Sequence, residues 1–389
     1  MLQPRLLRHA NLTLKQRKLT QNVRYLSRQP KPYDPLRVLF CGADEFSIYS
    51  LQAVRDLQRR KPECISSIDV VCRPDKRVGR GLKKIQEGAQ TKSTTCEIVT
   101  LTDAFTVPIK STAKTLDLPI HQIDTFTGWS PPSPVDLIIA VSFGLLVPSR
   151  ILKSATWGGL NVHPSLLPDL RGPAPIQHAL LKGRKFTGVS LQTMHPTRFD
   201  HGVVLAQTKR PGVEIAEEAT PEALVHSLGK LGAEMLVKGI EDGLFVDPVP
   251  FVDVKHEEEK AEHGPKILPE DRHIDWSTWT ADRILRYDRV LGRLWDTTTW
   301  QRCRAGSQVS KRVTFHGPWR VVPRDQASTV DGSMEAGRPA IVSGEESKSS
   351  KLVLPTVDGH LLTPESATIE GEQKGKGMAA LIRAMTPRR

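Results

Sequence analysis

The chain has 389 residues, 38% hydrophobic and 25% charged; that excludes a wholly disordered chain and predicts two or three domains at about 100–200 residues each. Glycine and proline are plentiful but aperiodic, which excludes collagen. No apolar run approaches the roughly 18 residues of a membrane span. The five cysteines form no CxxC pair, which argues against a disulfide framework and a structural zinc site.

The net charge of +12 is unevenly spread. Residues 1–33 carry eight Lys or Arg and no acid, residues 34–269 are neutral, and the remainder is mildly basic. An electrostatic argument for nucleic-acid binding therefore has to be local.

In chain order, the first segment is Arg-rich, acid-free and spaced with Leu2, Leu6, Leu7, Leu12, Leu14 and Leu19. That is the composition of an amphipathic organellar presequence. Arg24 to Ser27 resembles a mitochondrial processing site, so residues 1–34 are predicted to be a presequence and linker and the destination the mitochondrial matrix. Residues 37–42 (RVLFCG) predict a first strand, 47–57 a helix and 69–72 a second strand. Residues 135–143 (VDLIIAVSF) are nearly all apolar, as in a strand covered on both faces. Further strands are predicted at 159–163, 188–194 and 203–207. Residues 220–241 predict a helix, with Thr220 as cap and Pro221 in its first turn.

Strands alternating with helices give an α/β domain with a mostly parallel sheet over residues 35–245. Residues 246–266 read as a linker, polar and charged at 257–262. In 267–389 the texture changes: one helix at 281–291, opened by Thr280, then short strands at 312–315, 320–322, 340–342, 351–354 and 360–362. Short strands with frequent turns predict a small β-barrel. Residues 91–107 and 330–346 fit neither pattern and read as insertions or loops.

The densest constellation is 158–177, GGLNVHPSLLPDLRGPAPIQ. Asn161 and His163 are two apart, so on a strand their side chains share a face. Pro164 and Pro168 place the pair at a strand end, where ligand crevices form in open α/β sheets. A carboxamide can donate to a developing oxyanion, and an imidazole can move a proton. On spacing alone the pair is weak, and a lone strand-end histidine is more often structural. No GxSxG elbow and no metal motif is present.

The string Asn-Val-His-Pro-Ser-Leu-Leu-Pro at 161–168, followed by Arg-Gly-Pro-Ala-Pro-Ile at 171–176, resembles the signature of the folate-dependent formyltransferases. The resemblance implies a Rossmann-like domain and a third catalytic residue, an aspartate in an Asp-x-Gly setting, which Asp200-His201-Gly202 matches. Three features resemble the branch that acts on methionyl-tRNA. These are the opening 38–46 (VLFCGADEF), the basic segment 73–84 (RPDKRVGRGLKK) and the pair Lys266-Ile267-Leu268 and His273 to Ser277.

That branch implies an OB-like C-terminal barrel that grips tRNA, 10-formyltetrahydrofolate as formyl donor with no metal, and methionyl-initiator tRNA as acceptor, in a monomer without membrane contact. By the same resemblance Asn161, His163 and Asp200 are catalytic. Phe143, Gly144 and Leu145, with Ser165, Leu166, Leu167 and Pro168, would border the folate. Arg77, Arg80, Lys83 and Lys84 would clamp tRNA phosphates. The sequence departs from the family at Ala43, at Val203 and across 292–300 (GRLWDTTTW). The alternative acceptor is a small amine, such as an amino sugar or a purine precursor.

Overall fold

The computed structural model describes residues 33–78, 83–85, 107–254, 261–303, 309–323, 329–331, 334–343 and 351–385. The predicted presequence, Arg80 and nearly all of the 91–107 insertion lie outside the described residues. The chain opens with β1 (Leu36–Gly42), α1 (Glu45–Arg60) and β2 (Ile65–Cys72). A two-stranded antiparallel ribbon, β3 (Lys76–Val78) and β4 (Lys83–Ile85), follows within the basic segment. Then come α2 (Pro108–Thr115), β5 (Ile120–Gln122), β6 (Leu137–Val141), α3 (Ser149–Leu152), β7 (Gly159–His163), α4 (Pro175–Leu181), β8 (Phe186–Thr187), β9 (Ser190–Thr193), β10 (Val204–Gln207), β11 (Val213–Glu214) and α5 (Pro221–Glu241).

Seven of these strands make one sheet in the order β10-β9-β7-β6-β1-β2-β5. β7, β6, β1, β2 and β5 are mutually parallel, and β9 runs antiparallel to both neighbours. The central strands are covered on both faces, and period two divides their side chains. Val38 and Phe40 enter the core under α1 and α5. Leu39 and Cys41 enter the opposite core with Ile138 and Phe143. This explains the unbroken apolar strings that predicted buried parallel strands.

The long helices start where the sequence places their caps. Asp44 accepts from the Ser47 N–H at 3.1 Å at the head of α1. Thr220 accepts from the Ala223 N–H at 3.3 Å at the head of α5. The predicted N-cap Thr220 and first-turn Pro221 are therefore found in place.

The C-terminal region contains α6 (Ala281–Leu291), β12 (Trp295–Asp296), α7 (Thr299–Cys303), β13 (Val313–His316), β14 (Arg320–Val322), β15 (Thr329–Asp331), β16 (Ala340–Ser343), β17 (Lys351–Pro355), β18 (Leu361–Thr363), β19 (Ser366–Ile369) and α8 (Gly377–Met385). Its strands form two separate antiparallel sheets, β12-β13-β19 and β14-β18-β17-β16-β15. β16 matches the strand expected at 340–342, and β15 adds one that overlaps the start of 330–346, a stretch that otherwise read as an insertion or loop. A separate core forms around Trp276, Trp300, Phe315, Trp319 and Leu381.

The start of the sheet is bolted by one ion pair. Arg37, on β1, donates from Nε and Nη2 to the two carboxylate oxygens of Asp136, each at 2.8 Å. This two-point hydrogen bonding holds the Asp136 carboxyl down at about 2. The value lies below the ordinary 3.8, so the stabilisation is present above about pH 4 and is lost as pH falls through about 2. Asp136→Asn should lower the urea midpoint at pH 7, and its deficit against the native chain should shrink as the denaturation is repeated from pH 4 towards pH 2.

Candidate active site

β1 is where the chain reverses its progress across the sheet, with β2 and β5 to one side and β6 and β7 to the other. In open α/β sheets a crevice opens at that point, beyond the carboxyl ends of the strands. A cleft of about 560 Å³ lies there. It is lined by Asp44 after β1, Phe143 to Val147 after β6, Asn161 and His163 on β7, Gln192 on β9 and Asp200 in the loop to β10.

β7 ends as the sequence predicts, at His163. The Asn161 Nδ2 donates to the Ala140 carbonyl at 2.9 Å, and its Oδ1 accepts from Gln192 Nε2 at 2.9 Å. A backbone carbonyl can only accept, so it settles which end of the amide is the NH₂ group. The second Nδ2 hydrogen remains available to a ligand in the cleft.

Gln192 does more than orient Asn161. Its Nε2 also donates to Asp200 Oδ1 at 3.2 Å, and its Oε1 accepts from the Gly202 N–H at 3.2 Å. The carboxamide is saturated on the protein side and serves as a fixed brace between two site residues.

His163 is 5% exposed. Its Nδ1 lies 3.3 Å from Asp200 Oδ1, and its Nε2 lies 3.1 Å from the Leu170 carbonyl oxygen. Both neighbours are acceptors, so a proton arriving at either ring nitrogen finds a partner. Asp200 has φ +56°, in the left-handed region, which short polar side chains tolerate best among non-glycine residues. Its Oδ2 accepts from the Gly172 N–H at 2.9 Å, and its carbonyl accepts from Arg171 Nε at 2.8 Å. Two residues on, glycine is compulsory. A Cβ at Gly202 would lie 1.6 Å from the Thr193 carbonyl oxygen. The Asp-x-Gly spacing thus has a steric cause.

The structure brings Asn161, His163 and Asp200 together, with Phe143, Gly144 and Leu145 on the same cleft. Ser165, Leu166, Leu167 and Pro168 are not on its lining; they form a buried turn directed towards β9. There Ser190 Oγ accepts from the Leu167 N–H at 3.0 Å and donates to the Ser165 carbonyl at 2.7 Å. Pro164, one residue earlier, reaches the cleft. Arg77 pairs in register with Lys84, and Val78 with Lys83, across the β3–β4 ribbon; Arg80, between the strands, is outside the described residues. No group of three or more His, Cys, Asp or Glu side chains among the described residues could hold a metal ion.

Sequence reasoning missed Gln192 and Asp44. Gln192 is the inward residue on the strand leading to Asp200, and that position was its only signal. Asp44 caps α1 and also borders the cleft. Burial pushes its carboxyl up to about 6, against the lowering effect of the Ser47 N–H.

A polar constellation beyond the carboxyl ends of a mostly parallel sheet, beside an apolar wall, defines an α/β enzyme with a preorganised cleft. Comparison with known proteins specifies it further. The family model described as formyl transferase matches residues 36–240. The mitochondrial methionyl-tRNA formyltransferase of Saccharomyces cerevisiae is 32% identical over 75% of this chain and 78% of its own. The human mitochondrial methionyl-tRNA formyltransferase is 30% identical over 67% of this chain, which spans 58% of that protein. The Bacillus thuringiensis methionyl-tRNA formyltransferase is 32% identical over 66% of this chain and 72% of its own. The chain belongs to the formyltransferase family, in the methionyl-tRNA formyltransferase branch.

Gln192→Leu should keep the fold and lower kcat by about 10- to 100-fold, because it frees Asn161 and Asp200 from their shared donor. Gln192→Glu should fare no better, since a carboxylate there faces Asn161 Oδ1 and Asp200. Steady-state kinetics beside a thermal melt checks this; an undiminished kcat in both variants would contradict the bracing role.

Proposed function

We propose that the chain transfers a formyl group from 10-formyltetrahydrofolate to the α-amine of methionine on initiator tRNA, in mitochondria. The convergence of Asn161, His163 and Asp200 in one cleft carries the reading. The amine nitrogen attacks the formyl carbon, and a C–N bond forms as the carbonyl oxygen takes up negative charge. The free Nδ2 hydrogen of Asn161 donates to that oxyanion. His163 assists, either stabilising that oxyanion as an imidazolium or moving the proton of the attacking amine towards the departing folate nitrogen, and Asp200 holds the ring or relays that proton through a water. Collapse of the tetrahedral carbon breaks its bond to the folate nitrogen, which leaves with the proton.

Phe143, Gly144 and Leu145 are the proposed folate wall, with the buried turn Ser165, Leu166, Leu167 and Pro168 behind the catalytic strand. Residues 35–245 are the proposed catalytic domain, 246–266 its linker and 267–389 a tRNA-binding domain, whose two sheets we assign to an OB-like barrel. The β3–β4 ribbon, with Arg77, Arg80, Lys83 and Lys84, is the proposed phosphate clamp. Residues 1–34 are the proposed presequence and linker, the compartment the matrix and the working unit a monomer. A small-amine acceptor is the weaker reading, because the named relatives act on methionyl-tRNA.

Formylation of charged initiator tRNA with a labelled donor tests the function. Asn161→Ala, His163→Ala and Asp200→Ala should each lower kcat by about 100- to 1,000-fold while tRNA affinity survives. His163→Ala/Asp200→Ala should be little worse than the worse single variant, because Asp200 acts through His163. Near-native kcat in His163→Ala would remove the mechanism.

Replacing Arg77, Arg80, Lys83 and Lys84 together with Ala should weaken tRNA binding and leave folate binding intact. It should also flatten the fall of tRNA affinity with salt. Equal salt slopes for the two proteins would refute the clamp.

A further inference from the structure

The loop after β7 contacts the catalytic pair and is itself bent against its preference. Leu170, whose carbonyl faces His163 Nε2, has φ +56°. Gly172, whose N–H holds Asp200, has φ +117°. A bulky residue in the left-handed region persists only where its surroundings over-determine it.

What determines it comes from far along the chain. The Leu170 N–H donates to the Glu262 carbonyl at 2.7 Å. The Gly264 N–H donates to the Arg171 carbonyl at 2.7 Å, and the Ala174 N–H to the Gly264 carbonyl at 3.1 Å. Arg171 and His263 thereby form a parallel bridge. The His263 ring fills the space beside Gly172, where a Cβ would stand 2.7 Å from His263 Cε1. Glu262 is in turn anchored at three points. Its N–H donates to Asp169 Oδ1 at 3.0 Å, and its carboxylate pairs with Arg184 at 2.5 Å and with Lys182.

We infer that Glu262 to Gly264, a segment beyond the matched family region 36–240, positions His163 and Asp200 by holding the 169–174 loop in its bent conformation. The chain that leads into the C-terminal region is thus a working part of the catalytic centre. On one side the loop presents the Leu170 carbonyl and the Gly172 N–H to the catalytic pair; on the other it is hydrogen-bonded to this brace at Leu170, Arg171 and Ala174. Release of the brace lets Leu170 relax out of the left-handed region. Its carbonyl then swings from His163 Nε2, and the Gly172 N–H leaves Asp200. Glu262, His263 and Gly264 are positioning residues. The inference rests on the proposed roles of His163 and Asp200.

The test uses the full chain in the formylation assay. Gly264→Pro removes the N–H that bonds Arg171. Gly264→Ala keeps it, and the added Cβ meets nothing nearer than 3.4 Å. Gly264→Pro is expected to lose on the order of 10- to 100-fold in kcat with little change in KM for folate, and to shift the pH profile of kcat. Gly264→Ala should rescue all three.

Should Gly264→Pro not fold, Glu262→Ala keeps its peptide bonds and removes both ion pairs; its kcat should fall several-fold at an unchanged folate KM. Native kcat and pH profile in Gly264→Pro overturn the inference, as does native kcat in Glu262→Ala where the proline variant is insoluble. A loss that merely follows the melting temperature, with an unmoved pH profile, overturns it too. His163→Ala run in parallel separates the two layers. An inactive His163→Ala beside a fully active Gly264→Pro removes the brace alone, and an active His163→Ala removes the catalytic reading beneath it.

Discussion

Two polar side chains of the site and one backbone amide meet at a single carboxamide. Gln192 Nε2 is shared between Asn161 Oδ1 and Asp200 Oδ1, and its Oε1 holds the backbone at Gly202. Because the Ala140 carbonyl claims one Asn161 hydrogen, the amide has one orientation only. Low-dielectric surroundings make such a network costly to satisfy in part, and rigid when it is satisfied in full. Asn161, the carboxylate partner of His163 and the loop that carries it are therefore set by one another. β7 and β9 supply the network from adjacent strands, so the sheet itself fixes the distances.

Much of this was legible in the sequence for clear physical reasons. Buried parallel strands advertise themselves as apolar strings, and β7 was placed residue for residue because prolines end its ladder. The caps at Thr220 and Thr280 were equally plain, since a hydroxyl before an apolar-periodic run has few other uses. The site triad was readable partly from the period-two pair Asn161 and His163. Asp200 came only through the family resemblance, because nothing local distinguishes it from another loop acid.

What stayed hidden was set at long range. The two-residue strands β8 and β11 pair with each other across 26 residues and are too short to have a period. Helix α8 is apolar but short, and its use depends on the core around Trp276 and Leu381. Ser165 to Pro168 form a buried turn off the cleft lining because Ser190 is placed to bond both Leu167 and Ser165. Glu262 sits in a charged run that looks like a solvated linker; only the folded chain brings Lys182, Arg184 and Asp169 to it.

The Arg37–Asp136 pair divides the sheet into two mechanically unlike ends. It ties β1 to the residue just before β6 at the amino-terminal edge, opposite the cleft. At the carboxyl edge the chain leaves β6 through Ser142 and Gly144, both with positive φ. Amide hydrogen exchange should register the contrast. The amides at the start of β6 are expected to exchange last, near the rate of global unfolding, and those from Ser142 to Leu146 through cheaper local opening. That contrast would direct local opening to the edge that carries the cleft and leave the opposite edge as the fixed jaw.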